Sequence, residues 1–146
     1  MIEESMIREK FNKRNMIALR SFCLISQRDL GLRKRWRIKV SACFGRWNDA
    51  LGIYAVHFTG AIMAVGLKYG HWDVNTLLRQ KEEMMNKYAE FRALFLEKFA
   101  TNSCKELLGY DVSLPEQLEE ALSSGRMLDF CPKVVESVIE MLEEIL

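Results

Sequence analysis

The chain carries four cysteines, Cys23, Cys43, Cys104 and Cys131, and two of them stand where a thiol could do chemistry. Cys104 follows Asn102-Ser103, residues suited to the position before a helix, and Cys131 immediately precedes Pro132, which suits a first helical turn. The local pattern predicts that each thiol opens a helix, where unpaired N–H groups and the positive end of the dipole favour thiolate over thiol. A thiolate is the nucleophile of disulfide exchange and also a soft-metal ligand. Cys104 and Cys131 are therefore the candidate redox residues, and the same two are the candidate metal ligands. The competing reading is that a cysteine is a small, buried hydrophobe. Cys23 and Cys43 lack a helix-start context and are read as structural.

Other chemistry finds little support. His57 lies in an apolar stretch, where a histidine is more often a hydrogen-bonded core residue than a ligand, and His71 follows Gly70. There is no CxxC, HExxH, glycine-rich phosphate loop or nucleophile elbow, so hydrolase, kinase and nucleotide-binding functions are not indicated.

The elements that would position the thiols are helical. Ala50 to Lys68 is an apolar helix, with Gly70 expected in a left-handed stop. Asp73 can cap the next helix, in which Leu77, Leu78, Met84, Met85, Tyr88, Phe91, Leu94, Phe95 and Phe99 recur at helical spacing up to Ala100. Such a stripe of Met and aromatic residues predicts core. Ser103 starts a short helix through Leu108, stopped by Gly109. Ser113-Leu-Pro-Glu116 has the form of a capping box and launches a helix to Ser123. Pro132 is expected to open the last helix, whose apolar face is Val134, Val135, Val138, Ile139, Leu142, Ile145 and Leu146. The fold class expected is all-α: one domain over residues 1–146, a helical bundle of about five or six helices. Residues 50–146 read cleanly and residues 1–49 do not.

At 146 residues, with 49% hydrophobic and 28% charged side chains, the chain has the composition of a globular domain able to bury one core. The net charge of +1 conceals an asymmetry, because residues 1–50 hold 12 Lys/Arg against 5 Asp/Glu. Much of that excess is Arg33-Lys-Arg-Trp-Arg-Ile-Lys39. Basic residues around a tryptophan are how a nucleic-acid surface begins, but so short a run is usually a solvated face, and nucleic acid is not an expected partner. A charge-free stretch from Ala50 to Leu67 is borderline in length for a membrane span and is expected as a buried bundle helix. No secretory signal is visible at the N-terminus, so the expected location is cytoplasmic, with thiols reduced.

From Gly60 onward the chain resembles a family of small four-cysteine proteins, described as redox-active, whose pattern is written C…GCAxxG…C…C. The stretches that carry the resemblance are GAIMAVGLKYG (Gly60–Gly70), FLEKF (Phe95–Phe99), NSCKELLGYD (Asn102–Asp111) and CPK (Cys131–Lys133) followed by VVESVIEMLEEIL, in that order over 87 residues. The resemblance implies a helical fold and makes Cys104 and Cys131 the third and fourth family cysteines. The first two are missing. Members carry Cys-Gly-Ala-x-x-Gly ending at the position of Gly60, where this chain has Ala55-Val56-His57-Phe58-Thr59-Gly60, so Ala55 stands in place of a thiol. Near the N-terminus, Phe11-Asn12-Lys13 is not followed by the Cys-Ala-Gln of family members. By ligand count, four converging cysteines would suit an iron–sulfur or zinc site. The two present here suit a dithiol/disulfide pair that exchanges electrons with a redox partner. The alternative of a different class is a non-catalytic helical interaction module, a homo-oligomer included, in which the cysteines only pack.

The departures have a common form. Tyr54-Ala55-Val56-His57 can be encoded TAT GCG GTG CAT, and reading from the third base gives Cys-Gly-Ala. Met16 to Arg20 can be ATG ATT GCG CTC AGG, which in the same shifted frame gives Asp-Cys-Ala-Gln. The hypothesis is that parts of residues 14–58 are out-of-frame readings of a family member. Resequencing the coding DNA tests it: the expected result is compensating base insertions or deletions flanking these segments, and uninterrupted codons through residues 14–58 would rule it out.

Overall fold

The computed structural model describes residues 54–71 and 73–146; the expectations for Cys23, Cys43, the basic run and residues 14–53 lie outside them. Among the described residues there are five α-helices and no strand: α1 (Val56–Tyr69), α2 (Leu77–Phe99), α3 (Cys104–Leu108), α4 (Pro115–Ser123) and α5 (Arg126–Ile145). One turn of 3₁₀ helix, Val74–Thr76, leads into α2. The all-α class is as expected.

Helices α1, α2 and α5 pack against one another, and α3 and α4 lie against α5. The main core sits where the three long helices meet. Phe58, Ala61, Ala64 and Val65 of α1 face Phe91 and Phe95 of α2 and Val134, Val138, Met141, Leu142 and Ile145 of α5. The small residues Gly60, Ala61 and Ala64 are buried on α1 and leave room for bulky neighbours. Phe58 fills that room, with its ring centroid 4.9 Å from Phe95 in an edge-on arrangement and 5.4 Å from Phe91. Phe99 continues the cluster at 4.8 Å from Phe95. Such ring pairs add roughly 0.5–1.5 kcal/mol each to the area they bury.

Several helix boundaries depart from expectation for physical reasons. Helix α1 begins at Val56, not Ala50, because Ala55 is extended (φ −60°, ψ 125°) and its N–H donates to the Asn102 carbonyl at 2.7 Å. Gly70 is not left-handed; its φ is −59°. A Cβ there would collide with the Gly66 carbonyl, which accepts the Gly70 N–H, so close approach explains the glycine. Gly66 is exposed, and a Cβ there would meet nothing. Ala100 (φ 60°), which ends α2, lies in the left-handed region, as does Gly109 (φ 79°), which ends α3 as expected.

The stripe on α2 is core over only part of its length. Phe91 and Phe95 are fully buried, whereas Leu78 is 82% exposed and Leu77 and Met85 are also exposed. The register of the antiparallel pair explains this. Phe58 near the start of α1 meets Phe95, and Tyr69 at its end lies beneath Lys87, 5.9 Å from the ring centroid. The first turns of α2 therefore run beyond the end of the shorter α1. Asp73 caps this end as expected, its carboxylate accepting from the Asn75 N–H at 3.0 Å.

Phe95→Ala should destabilise the fold by about 3–5 kcal/mol, whereas Leu78→Ala should change it by less than about 0.5 kcal/mol. Urea denaturation of the two variants checks this, and equal losses would contradict the register.

Candidate functional site

Cys104 is positioned by a network of short-range polar contacts. Ser103 is the residue before α3, and its Oγ accepts from the Glu106 N–H at 3.5 Å. Thr101 Oγ1 accepts from the Ser103 N–H at 3.1 Å and donates to the Glu106 carboxylate. These contacts set the chain direction so that Cys104, the first residue of α3, turns inward and is only 9% exposed. This is the helix-start position expected for it, although α3 is little more than one turn long.

Cys131 is placed differently from the expectation. Helix α5 starts at Arg126, after Gly125 in the left-handed region (φ 75°), and Pro132 lies inside it. Cys131 is thus an interior helical residue, and the dipole argument made for it does not apply. An interior proline removes one backbone hydrogen bond and crowds the carbonyl four residues back, at a cost of about 3 kcal/mol. That carbonyl belongs to Leu128, an exposed residue. The compensation is apolar burial. Met127, Cys131 and Val135 are spaced four apart on one line of α5, and all three are buried. Burying Met127 alone contributes roughly 1.5–3 kcal/mol. The apolar stripe of the last helix extends upstream of the proline and carries the helix with it.

Both thiols belong to the packing of that extension. Cys104 and Leu108 of α3, Val112 after it, and Met127, Cys131 and Val135 of α5 form one buried cluster, flanked by Tyr110, Leu118, Phe130 and Ile139. Phe130 and Ile139 also border the main core, so the two clusters adjoin. No disulfide joins the cysteines. The segment closing the cluster is tied down at its surface. Lys105 pairs with the Asp111 carboxylate at 3.0 Å, and the Asp111 N–H donates to the Gln117 side chain at 2.7 Å. Asp111 also accepts from the Ser113 hydroxyl and N–H. The Ser113 hydrogen bonds, and then Lys105, hold the Asp111 carboxyl below its ordinary value. This arrangement replaces the expected capping box: the Ser113 hydroxyl is engaged by Asp111, and Leu114 precedes α4 without a side-chain cap.

Among the described residues no group of three or more His, Cys, Asp or Glu could hold a metal ion. His57 is buried in the first turn of α1, and burial lowers its pKa from 6.5 to about 4, so it is neutral at pH 7. His71 is exposed. Among the described residues no helix is long and apolar enough to cross a membrane.

Residues 21–145 match the family described as "Putative redox-active protein (C_GCAxxG_C_C)". The chain belongs to this family. The match takes in most of the resemblance from Gly60 onward and reaches back to Ser21. No match is found among curated proteins or among solved structures. In the order of the family's descriptor, Gly-Cys-Ala-x-x-Gly closing on Gly60, the motif cysteine falls at Val56. In the order Cys-Gly-Ala-x-x-Gly it falls at Ala55. Both residues are buried at the start of α1. The Ala55–Asn102 hydrogen bond ties this start to the loop that presents Cys104, a juxtaposition no spacing in the chain announces.

The buried histidine carries a pH dependence. The unfolded chain protonates His57 near pH 6.5 and the folded chain only near pH 4. Stability from this group is full above about pH 6.5 and falls as the pH drops toward 4, by about 2–3 kcal/mol at pH 4.5. Asp111, depressed from an ordinary value of 3.8, loses its contribution only at lower pH. Denaturation midpoints at pH 7 and 4.5 should therefore differ more for the wild type than for His57→Leu. An identical difference in the two proteins would contradict the burial of a neutral imidazole.

Proposed function

We propose that this chain is a dithiol/disulfide redox protein in which Cys104 and Cys131 are the exchanging pair. The observation that carries the reading is that two thiols 27 positions apart in sequence belong to one small buried cluster between α3 and α5. Membership of a family described as redox-active supports it. The chemistry is a two-electron step. A peroxide converts one thiolate to a sulfenic acid with release of water or alcohol, and the second thiol displaces water from it to form the S–S bond. A dithiol donor, small or protein-borne, reverses the step by exchange. At 9% and 5% exposure the two cysteines admit a small oxidant more readily than a bulky one. A reducing cytoplasmic setting suits a pair held as thiols.

A second reading is favoured by one observation. Val74, Leu77, Leu78 and Met85 expose apolar surface on the overhanging end of α2 and the turn before it. A helical interaction module, self-associating or not, would use that surface and leave the cysteines as packing residues.

Oxidation with a small peroxide followed by proteolytic mass mapping separates the two. The redox reading expects a cross-linked peptide pair containing Cys104 and Cys131, two hydrogens lighter than the separate peptides, with the helical circular dichroism retained. Cys104→Ser and Cys131→Ser should each abolish it. If both thiols instead stay alkylatable only after denaturation, with no cross-link, the cysteines are packing residues.

A further inference from the structure

We infer that Asp111 is a positioning residue of the thiol site: its carboxylate clasps α3 to the start of α4, and release of that clasp opens residues 103–113 as a flap over Cys104 and Cys131. The inference rests on the reading of these cysteines as one site and adds what admits a reagent to it. The flap brings Cys104, Leu108 and Val112 to the buried cluster, and α5 brings Met127, Cys131 and Val135. Each half covers the other. The flap borders the main core through Leu107, which is half-buried. Both of its ends are anchored. The Asn102 carbonyl accepts the Ala55 N–H at 2.7 Å on one side, and on the other α4 packs against α5.

The polar ties of the flap converge on one residue. Lys105 of α3 donates to the Asp111 carboxylate at 3.0 Å. Ser113 donates to the other carboxylate oxygen through its N–H and its hydroxyl. The Asp111 N–H donates to Gln117 Oε1 of α4 at 2.7 Å. Beyond these ties the flap is held by Cys104, Leu108 and Val112, whereas α1, α2 and α5 share the larger core. Loss of the ties therefore frees the flap while that core stays closed, which is a local opening. Disulfide exchange requires that an attacking thiolate reach a sulfur, and in the closed state the two thiols are buried. The clasp thus governs which thiols and oxidants reach the pair.

The test alkylates reduced full-length protein with excess iodoacetamide and follows Cys104 and Cys131 separately by peptide mass spectrometry. In the unsubstituted protein both thiols should react with the same weak dependence on low urea, because a local opening exposes little surface. Asp111→Ala should speed both about tenfold, the weight of one or two lost hydrogen bonds. Lys105→Ala, the second variant where Asp111→Ala does not fold, should speed them less, and Lys105→Arg should keep the original rate. Phe91 is fully buried in the main core, so Phe91→Leu should lower the urea midpoint and leave alkylation in native buffer unchanged. Unaltered alkylation in the Asp111 and Lys105 variants, or a gain as large in Phe91→Leu, overturns the clasp. Alkylation needs no disulfide, so the two readings fail separately. A peroxide cross-link with unaltered alkylation keeps the dithiol and removes the clasp; faster alkylation without a cross-link keeps the clasp and removes the redox pair.

Discussion

The described fold depends on one continuous line of apolar side chains along α5. From Met127 through Cys131, Val134, Val135, Val138, Met141 and Leu142 to Ile145, the buried positions recur every three or four residues. One edge of that line, from Val134 to Ile145, closes the main core with α1 and α2. The other, at Met127, Cys131 and Val135, closes the smaller cluster with α3. Helices α1, α2 and α4 all lean on this helix, so its burial orders the molecule and places one thiol in its wall.

That constraint accounts for the arrangement at Pro132. A proline inside a helix is tolerated when the packing on either side of it outweighs a lost hydrogen bond, and the buried residues before and after Pro132 supply that packing. The consequence for function is direct. Cys131 is held by the backbone of a long, packed helix, while Cys104 sits on a five-residue helix fixed by the contacts of Thr101, Ser103 and Glu106. One sulfur is carried by a rigid element and the other by a small one held by surface hydrogen bonds.

Much of this was legible in the sequence, and the failures have physical causes. Local signals succeeded where local chemistry decides: Asp73 caps, Ser103 precedes α3, Gly109 ends it, and Phe91 and Phe95 anchor the core. They failed where tertiary packing decides. Pro132 reads as a first-turn residue on propensity, and only the burial of Met127, exposed at no boundary signal, carries the helix past it. The α2 stripe reads as uniformly apolar, and only its register against the shorter α1 leaves Leu77 and Leu78 in water. Gly70 reads as a left-handed stop, yet its requirement is a carbonyl nearby. For the site, the sequence named Cys104 and Cys131, but their place in one buried cluster depends on how α3 packs on α5, and the tether from Ala55 to Asn102 has no sequence signature at all.

The central claim is that two thiols in one buried cluster form a reversible pair within an intact fold. Equilibrium titration of the native protein against glutathione redox buffers, with free thiols and helical circular dichroism read on the same samples, tests it most directly. The account predicts a single two-electron transition that consumes Cys104 and Cys131 together while the helical signal stays constant. Thiols that remain reduced across the whole range, or that oxidise only as the helical signal is lost, would contradict it.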